Sequence, residues 1–225
     1  MKLLEGLAEL LFPTRCAGCE LPGALLCDTC RAELPRIDRS GHCPRCGAPF
    51  GFLTCTECWN REWAFEAALA LGEFEAPLAR AVVLHKDAGE RRLAGVLGAL
   101  LAEEVAAAWP GWAQAVAFVP ATRAAKRRRG FDHGLAIAGV LAQAQSVPLL
   151  RALNRSEALD QRTLGRAARA LNASGTFSAG ESVSGMRVLL TDDVFTTGAT
   201  LDAAAAVLLE GGAQAVRVAA VARTW

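Results

Sequence analysis

Two carboxylates followed at once by a loop of small, hydroxylated residues form the strongest chemical signal in this chain: Asp192-Asp193-Val194-Phe195-Thr196-Thr197-Gly198-Ala199-Thr200. Ionised carboxylates accept hydrogen bonds from vicinal hydroxyls and can hold a hydrated magnesium ion, so Asp192 and Asp193 suit a sugar diol. Thr196, Thr197, Gly198, Ala199 and Thr200 offer successive backbone N–H groups, several hydroxyls and one glycine free to take positive φ. At the start of a helix such a loop is an anion cradle, fitted to a phosphate.

A second set of reactive groups is made of thiols. All eight cysteines fall before residue 59, in four Cys-x-x-Cys pairs: Cys16 with Cys19, Cys27 with Cys30, Cys43 with Cys46, and Cys55 with Cys58. One such turn points two thiolates at an ion and two turns complete a tetrahedral zinc shell, so four pairs make two sites. The intervals, 7 residues between the first two pairs and 8 between the last two, favour two tandem zinc ribbons, with interleaved pairing as the alternative. Nothing marks the chain as secreted, and grouped cysteines in a reducing compartment favour metal over disulfides. Iron–sulfur ligation is the lesser alternative, since thiolates also suit iron. With no open ligand position the zinc is expected to be structural, supplying folding energy to a short segment with few large apolar groups. His42, beside Cys43, reads as a surface residue.

The third set is cationic. Net charge is only +1, which argues against a wholesale polyanion binder, yet ten basic residues between Arg123 and Arg169 face three acidic ones, a local excess of +7. Such an excess suits a strongly anionic ligand. Arg123, Lys126, Arg127, Arg128 and Arg129 are expected on a basic loop. Arg162, Arg166 and Arg169, spaced by four and three, would share one helical face.

These groups need a scaffold, and the hydrophobic pattern describes one. Val188-Leu189-Leu190 is a continuous apolar run of the kind buried on both faces of a parallel sheet. Asp192 and Asp193 then emerge at its carboxyl end, where open α/β sheets bind ligands. Further strands are expected at Ala67–Phe74, Ala115–Val119, Val147–Leu150 and Ala215–Val221, with the motif strand at Met186–Thr191. Helices are expected at Ala76–Lys86, Glu90–Ala108, Gly134–Gln145 and Leu201–Glu210. Alternation of strand and helix gives an α/β fold with a parallel sheet. With 225 residues, 52% of them hydrophobic, the chain can form a full domain, placed at residues 61–225, and a small zinc domain at residues 1–60. Residues 1–11 read as a short amphipathic helix, because Glu5 and Glu9 interrupt what would otherwise resemble a signal peptide. No apolar run reaches ~18 residues, so no membrane insertion is expected and a cytoplasmic location fits.

The order of apolar run, Asp-Asp, spacer and Thr-Thr-Gly-Ala-Thr resembles the phosphoribosyl pyrophosphate (PRPP) motif of type I phosphoribosyltransferases. In that family the acids hold the ribose hydroxyls and the loop holds the 5′-phosphate. Almost the whole chain resembles the ComF family of competence-associated, phosphoribosyltransferase-like proteins. The resemblance is carried by the tandem Cys-x-x-Cys pairs, Lys86 with Gly89, Val119-Pro120 with Arg129-Gly130-Phe131, the stretch from Gln161 through Asn172 to Phe177, and the Asp-Asp motif. Asp132-His133 stands where the family usually has Asn-Gln, and Pro120 where two prolines are common.

The resemblance implies a type I phosphoribosyltransferase domain behind a double zinc-ribbon domain. It also implies magnesium-dependent phosphoribosyl transfer from PRPP to an unidentified acceptor, with a role in DNA uptake. Asp192 and Asp193 would be catalytic, Thr196 to Thr200 would take the phosphate, and Lys86 with Arg123, Lys126, Arg127, Arg128 and Arg129 would meet the pyrophosphate. Gln161 to Asn172 would be the lid, with a plain charged helix surface as its alternative. Because only 25 residues follow Thr200, the zinc module is expected to pack over the carboxyl edge of the sheet in place of a C-terminal hood. A rival reading makes the protein a single-stranded DNA-binding factor whose PRPP pocket is a sensor or relic, with Phe50, Phe52 and Trp59 as stacking candidates. His85 and His133 receive no role, and oligomeric state stays open.

Overall fold

The computed structural model describes residues 13–49, 54–155 and 176–225. The expected N-terminal helix, the aromatic pair Phe50 and Phe52, and the lid segment from Gln161 to Asn172 lie outside the described residues. In chain order the elements are α1 (Asp28–Ala32), α2 (Thr56–Trp59), β1 (Ala67–Glu73), α3 (Leu78–Lys86), α4 (Leu93–Ala108), β2 (Ala115–Phe118), α5 (Arg123–Arg129), α6 (His133–Gln145), β3 (Leu153–Arg155), β4 (Phe177–Ala179), β5 (Arg187–Phe195), α7 (Ala199–Glu210) and β6 (Ala215–Arg223).

Four strands form a parallel sheet in the order β1-β6-β5-β2. β5 lies inside it, and its side chains alternate between two apolar layers as the pleat requires. Leu189 faces Leu97, Leu101, Ile137 and Leu141 on α4 and α6. Val188 and Leu190 face the layer that holds Leu201 and Leu208 on α7. All three are fully buried, which accounts for the uninterrupted apolar run. The two helices on the first face meet closely at Gly98, where a Cβ would stand 2.6 Å from Val140 Cβ.

β5 runs on to Phe195, pairing Asp192 with Ala220 and Phe195 with Arg223, so the acid pair sits in the last turns of the pleat rather than beyond the strand. The expected strand at 147–150 shrinks to a single bridge between Leu149 and Val116; Pro148 has no N–H with which to extend a ladder. The expected basic loop is mostly the helix α5. Thr122 Oγ1 caps it by accepting from Ala125 N at 3.1 Å, and Gly130 at φ 72° closes it. Lys126, Arg127, Arg128 and Arg129 occupy its last turn, where cations are favoured by the helix dipole. The antiparallel pair β3–β4 was not expected. Two three-residue strands leave too short a pattern to read.

The cysteine-bearing segment lies along the open edge of β1. Ile37 N donates to Leu71 O and Glu73 N to Pro35 O, and a Cβ on Gly72 would stand 2.5 Å from Pro35 O. Ion pairs Arg31–Glu103 and Arg36–Glu104 tie it to α4. The segment thereby covers a strand edge that would otherwise be free to pair with another chain. Among the described residues no helix is long and apolar enough to cross a membrane.

Candidate functional site

The pleat of β5 sets the acids apart: Asp193 faces inward and is 4% exposed, while Asp192 is half-buried. α3 ends at the same edge and delivers Lys86, whose Nζ lies 2.6 Å from Asp193 Oδ2. The first residue of α6, His133, brings Nε2 to 3.5 Å from the same oxygen. Asp132, which caps α6 and pairs with Lys126 at 2.8 Å, fixes that helix start. Beneath it His85 is buried, its ring nitrogens 3.3 and 3.4 Å from Glu90 O and His133 O, and it packs edge-on against Phe131. Burial holds the His85 ring below its usual pKa, so it acts as a neutral brace.

The two carboxyls are pulled apart electrostatically. Burial first, and then the charge of Asp193, pushes Asp192 well above the carboxylate range. Burial also opposes the ionisation of Asp193, but the hydrogen bond from His133 and the Lys86 charge overcome it and hold that carboxyl low. A cation or a donor beside Asp192 would relieve the repulsion. Oxygens of Asp192 and Asp193 and a ring nitrogen of His133 all lie within 4.8 Å of one another, close enough to share one ion. The carboxylate pair fits magnesium, which takes one or two carboxylates together with substrate oxygens.

Past the acids, Gly198 at φ 76° caps α7, and Ala199 N points to Thr197 Oγ1 at 3.4 Å. A cavity of about 300 Å³ opens over these groups, bordered by Lys86, Arg129, His133, both acids, Thr196 and Thr200. Arg129 is held by Asp87 at 2.8 Å, yet its Nε is buried with no acceptor. Arg123 and Lys126 line a neighbouring recess with Arg151 and Arg155. Arg127 and Arg128 are exposed and border neither space. His133 receives no role from the sequence and Arg155 enters it only as one of the ten cations of the basic excess; the signal for His133 is its place beside a helix start on the carboxyl edge.

The thiols gather in two groups of consecutive pairs, Cys16-Cys19-Cys27-Cys30 and Cys43-Cys46-Cys55-Cys58. All eight are free of disulfides. Sulfurs of Cys19 and Cys27, and of Cys46 and Cys55, stand 3.7 Å apart. Zinc–sulfur bonds of ~2.3 Å at tetrahedral angles space sulfurs by roughly 3.8 Å, so the sulfurs are already at ligand separation. Backbone N–H groups of Gly18 and Cys27 donate to Cys16 Sγ; against the opposing effect of burial, backbone donors lower this thiol to about 6. Either group could hold a zinc ion.

The second group touches the Thr196–Thr200 loop. Trp63 Nε1 donates to Cys58 Sγ at 3.2 Å, and the Trp63 ring lies against Gly198. Arg61 stacks over Trp63 at 3.5 Å, donates to Thr197 O at 3.3 Å and faces Asp202 of α7 at 3.8 Å. Asp202 in turn accepts from Ala64 N at 2.8 Å. The cysteine module therefore does reach the carboxyl edge through its second group, while the first group sits against α3, where Arg80 donates to Gly18 O.

Residues 132–224 match the family model described as the phosphoribosyl transferase domain. The DNA utilization protein YhgH of Salmonella typhi is 28% identical over 96% of this chain and 99% of its own length. The competence protein ComFC of Bacillus subtilis (strain 168) is 26% identical over 85% of this chain and 80% of its own. Among solved structures, likeness to the glutamine PRPP amidotransferase of B. subtilis is only partial, with 27% identity and a TM-score of 0.42 over 56% of this chain and 25% of that one.

Proposed function

We propose that this chain, similar over most of its length to YhgH and ComFC proteins and matching the phosphoribosyl transferase domain over residues 132–224, is a ComF-type, magnesium-dependent phosphoribosyltransferase that binds PRPP over Asp192 and Asp193. The observation that carries this reading is the acid pair at the end of β5, with Lys86 2.6 Å from Asp193 and a positive-φ glycine opening α7 immediately beyond. The N-terminus of α7 takes the 5′-phosphate through its backbone N–H groups. Asp192 and Asp193 accept hydrogen bonds from the ribose 2′- and 3′-hydroxyls. Asp192 and Asp193 would hold magnesium together with PRPP oxygens, and its charge would offset that of the pyrophosphate.

In the transfer, the bond from the ribose anomeric carbon to a pyrophosphate oxygen breaks and its electron pair leaves with the pyrophosphate. A lone pair of the acceptor closes the new bond, and the acceptor's proton goes to water. Lys86 and Arg129 are placed to meet the growing negative charge, which is where fixed cations lower a barrier most. We assign the two cysteine groups to two structural zinc ions in residues 1–60, ahead of the transferase-like residues 61–225. A second reading, binding of single-stranded DNA along the same rim, draws on the exposed Arg123, Arg127 and Arg128 of α5 and on the DNA-related names of the relatives.

The test is calorimetric titration of the zinc-loaded protein with PRPP, with and without magnesium. Binding is expected to need magnesium and to be lost in the Asp192→Asn/Asp193→Asn double variant. Folded wild-type protein that takes up no PRPP would end this reading.

A further inference from the structure

Arg223, the last residue of β6, carries a charge that its surroundings leave without a carboxylate. The side chain is 4% exposed, yet among the described residues no carboxylate pairs with it, and its Nε and Nη1 have no acceptor. The remaining nitrogen, Nη2, donates to Cys46 Sγ at 3.3 Å. A buried charge without a partner is strongly unfavourable, so an arginine held in this way calls for an anion. The second cysteine group can supply one. A divalent ion held by four thiolates is a net anion, and its charge is spread over the sulfurs.

The surroundings of the two cysteine groups differ in the way this requires. Cys43, Cys46 and Cys58 are buried in the same apolar layer as Phe65, Phe195 and Val218, where water screens a negative charge poorly. Three sulfurs there accept a hydrogen bond: Cys43 Sγ from Cys55 N, Cys58 Sγ from Trp63 Nε1 and Cys46 Sγ from Arg223. The last of these donors is the charged one. In the first group the donors are backbone N–H groups on Cys16 Sγ, and the exposed Cys19 and half-buried Cys27 leave water to do the screening. Arg80, which lies beside that group, is already paired with Glu20.

Arg223 is also fastened to the strand ends that carry the acid pair and its loop. It stands opposite Phe195 in the β5–β6 register, its guanidinium carbon lies 4.0 Å from the centre of the Phe195 ring, and Thr224 N donates to Phe195 O at 3.0 Å. We infer that Arg223 is the counter-charge of a metal ion in the second cysteine group, a positioning residue that holds Cys46 as a ligand and ties the ion to the ends of β5 and β6. The inference rests on the assignment of zinc to the cysteine groups and does not depend on PRPP. Hydrogen-bond partners of metal ligands typically alter metal affinity by about 10–100-fold, and a charged donor is the stronger kind. Since the first group has no such cation among the described residues, the two ions are expected to leave at different rates.

Zinc release from the full, zinc-loaded chain to a chromogenic chelator tests this. Two phases are expected, the faster lost in Cys19→Ser and the slower in Cys58→Ser. Arg223→Gln, which keeps a donor and removes the charge, should quicken the slow phase by about tenfold or more and leave the fast phase unchanged. Arg223→Lys should restore most of the delay. In the cobalt-substituted protein, Arg223→Gln should also move the thiolate-to-cobalt charge-transfer band to longer wavelength, because a sulfur freed from a neighbouring cation gives up an electron more readily. Lost packing alone would not move that band. A single phase in the wild type, a slow phase and band unchanged in Arg223→Gln, or two phases quickened alike would each overturn the counter-charge. Should Arg223→Gln fail to fold, Arg223→Lys decides: a folded variant that keeps both zinc ions and the slow phase supports the inference, and one that fails as well overturns it. A folded wild-type chain that binds no zinc would overturn the zinc assignment, and the inference with it.

Discussion

Gly198 shows how much one residue must satisfy in this site. Its φ of 76° is a conformation that side chains with a Cβ rarely adopt, and a Cβ there would stand 2.5 Å from the Phe195 ring and 2.7 Å from Trp63. Gly185 has nearly the same φ, 72°, but a Cβ at that position would meet nothing within 4 Å. Both substitutions to alanine incur backbone strain of about 1 kcal/mol. Only Gly198→Ala adds overpacking, typically about 1–3 kcal/mol. Thermal unfolding of the two variants should therefore differ by roughly 2–10 °C, with Gly198→Ala lower. Gly198→Ala should also bind ribose 5-phosphate more weakly, because the loop must move for the methyl group to fit. Equal unfolding temperatures would mean that Phe195 and Trp63 do not hold the loop.

At the scale of elements, α5 separates two roles within one basic run. Arg129 faces the acid pair's cavity, while Arg123, Arg127 and Arg128 are exposed on the rim. If single strands bind this rim, affinity at low salt should fall steeply as salt rises, with a logarithmic slope of roughly 0.7 for each phosphate that a side chain neutralises. Arg127→Ala/Arg128→Ala should lower that slope by about 1–2 in fluorescence-anisotropy titrations; a slope unchanged by the double substitution would remove α5 from any DNA path. The same element shows what a sequence can and cannot convey. A strand exit, a basic run and a helix following it were legible from Pro120, the four consecutive cations and the apolar pattern from Gly134. That the run itself coils into a helix was not, since the count of cations signals charge rather than conformation. The strand under Asp192 was legible from Val188 to Leu190 because burial on both faces leaves an apolar run. The approach of His133, Arg61 and Trp63 was not, because each comes from a distant stretch and is brought in by packing.

Across the whole molecule the two cysteine groups are unequal in what they support. Cys43, Cys46 and Cys58 share an apolar cluster with Val188, Leu190, Phe195 and Val218, so the second group is built into one face of the sheet. Trp63 and Arg61 extend that group to Gly198 and Thr197. The first group, by contrast, sits against α3 at Gly18 and pairs with α4 through Arg31, and Cys19 is exposed. A structural zinc site contributes on the order of 10 kcal/mol to folding its own segment, but among the described residues it is the second segment that touches the Thr196–Thr200 loop. Cys58→Ser should therefore lower both the unfolding temperature and PRPP affinity, the latter by at least about tenfold, or about 1.4 kcal/mol. Cys19→Ser should release a comparable share of zinc, measured by a colorimetric chelator, yet leave PRPP affinity within about threefold, under about 1 kcal/mol. Equal drops in affinity in the two variants would mean that the cysteine module acts on the site as one body; a drop confined to Cys58→Ser would establish that the Thr196–Thr200 loop is held in place through the second cysteine group.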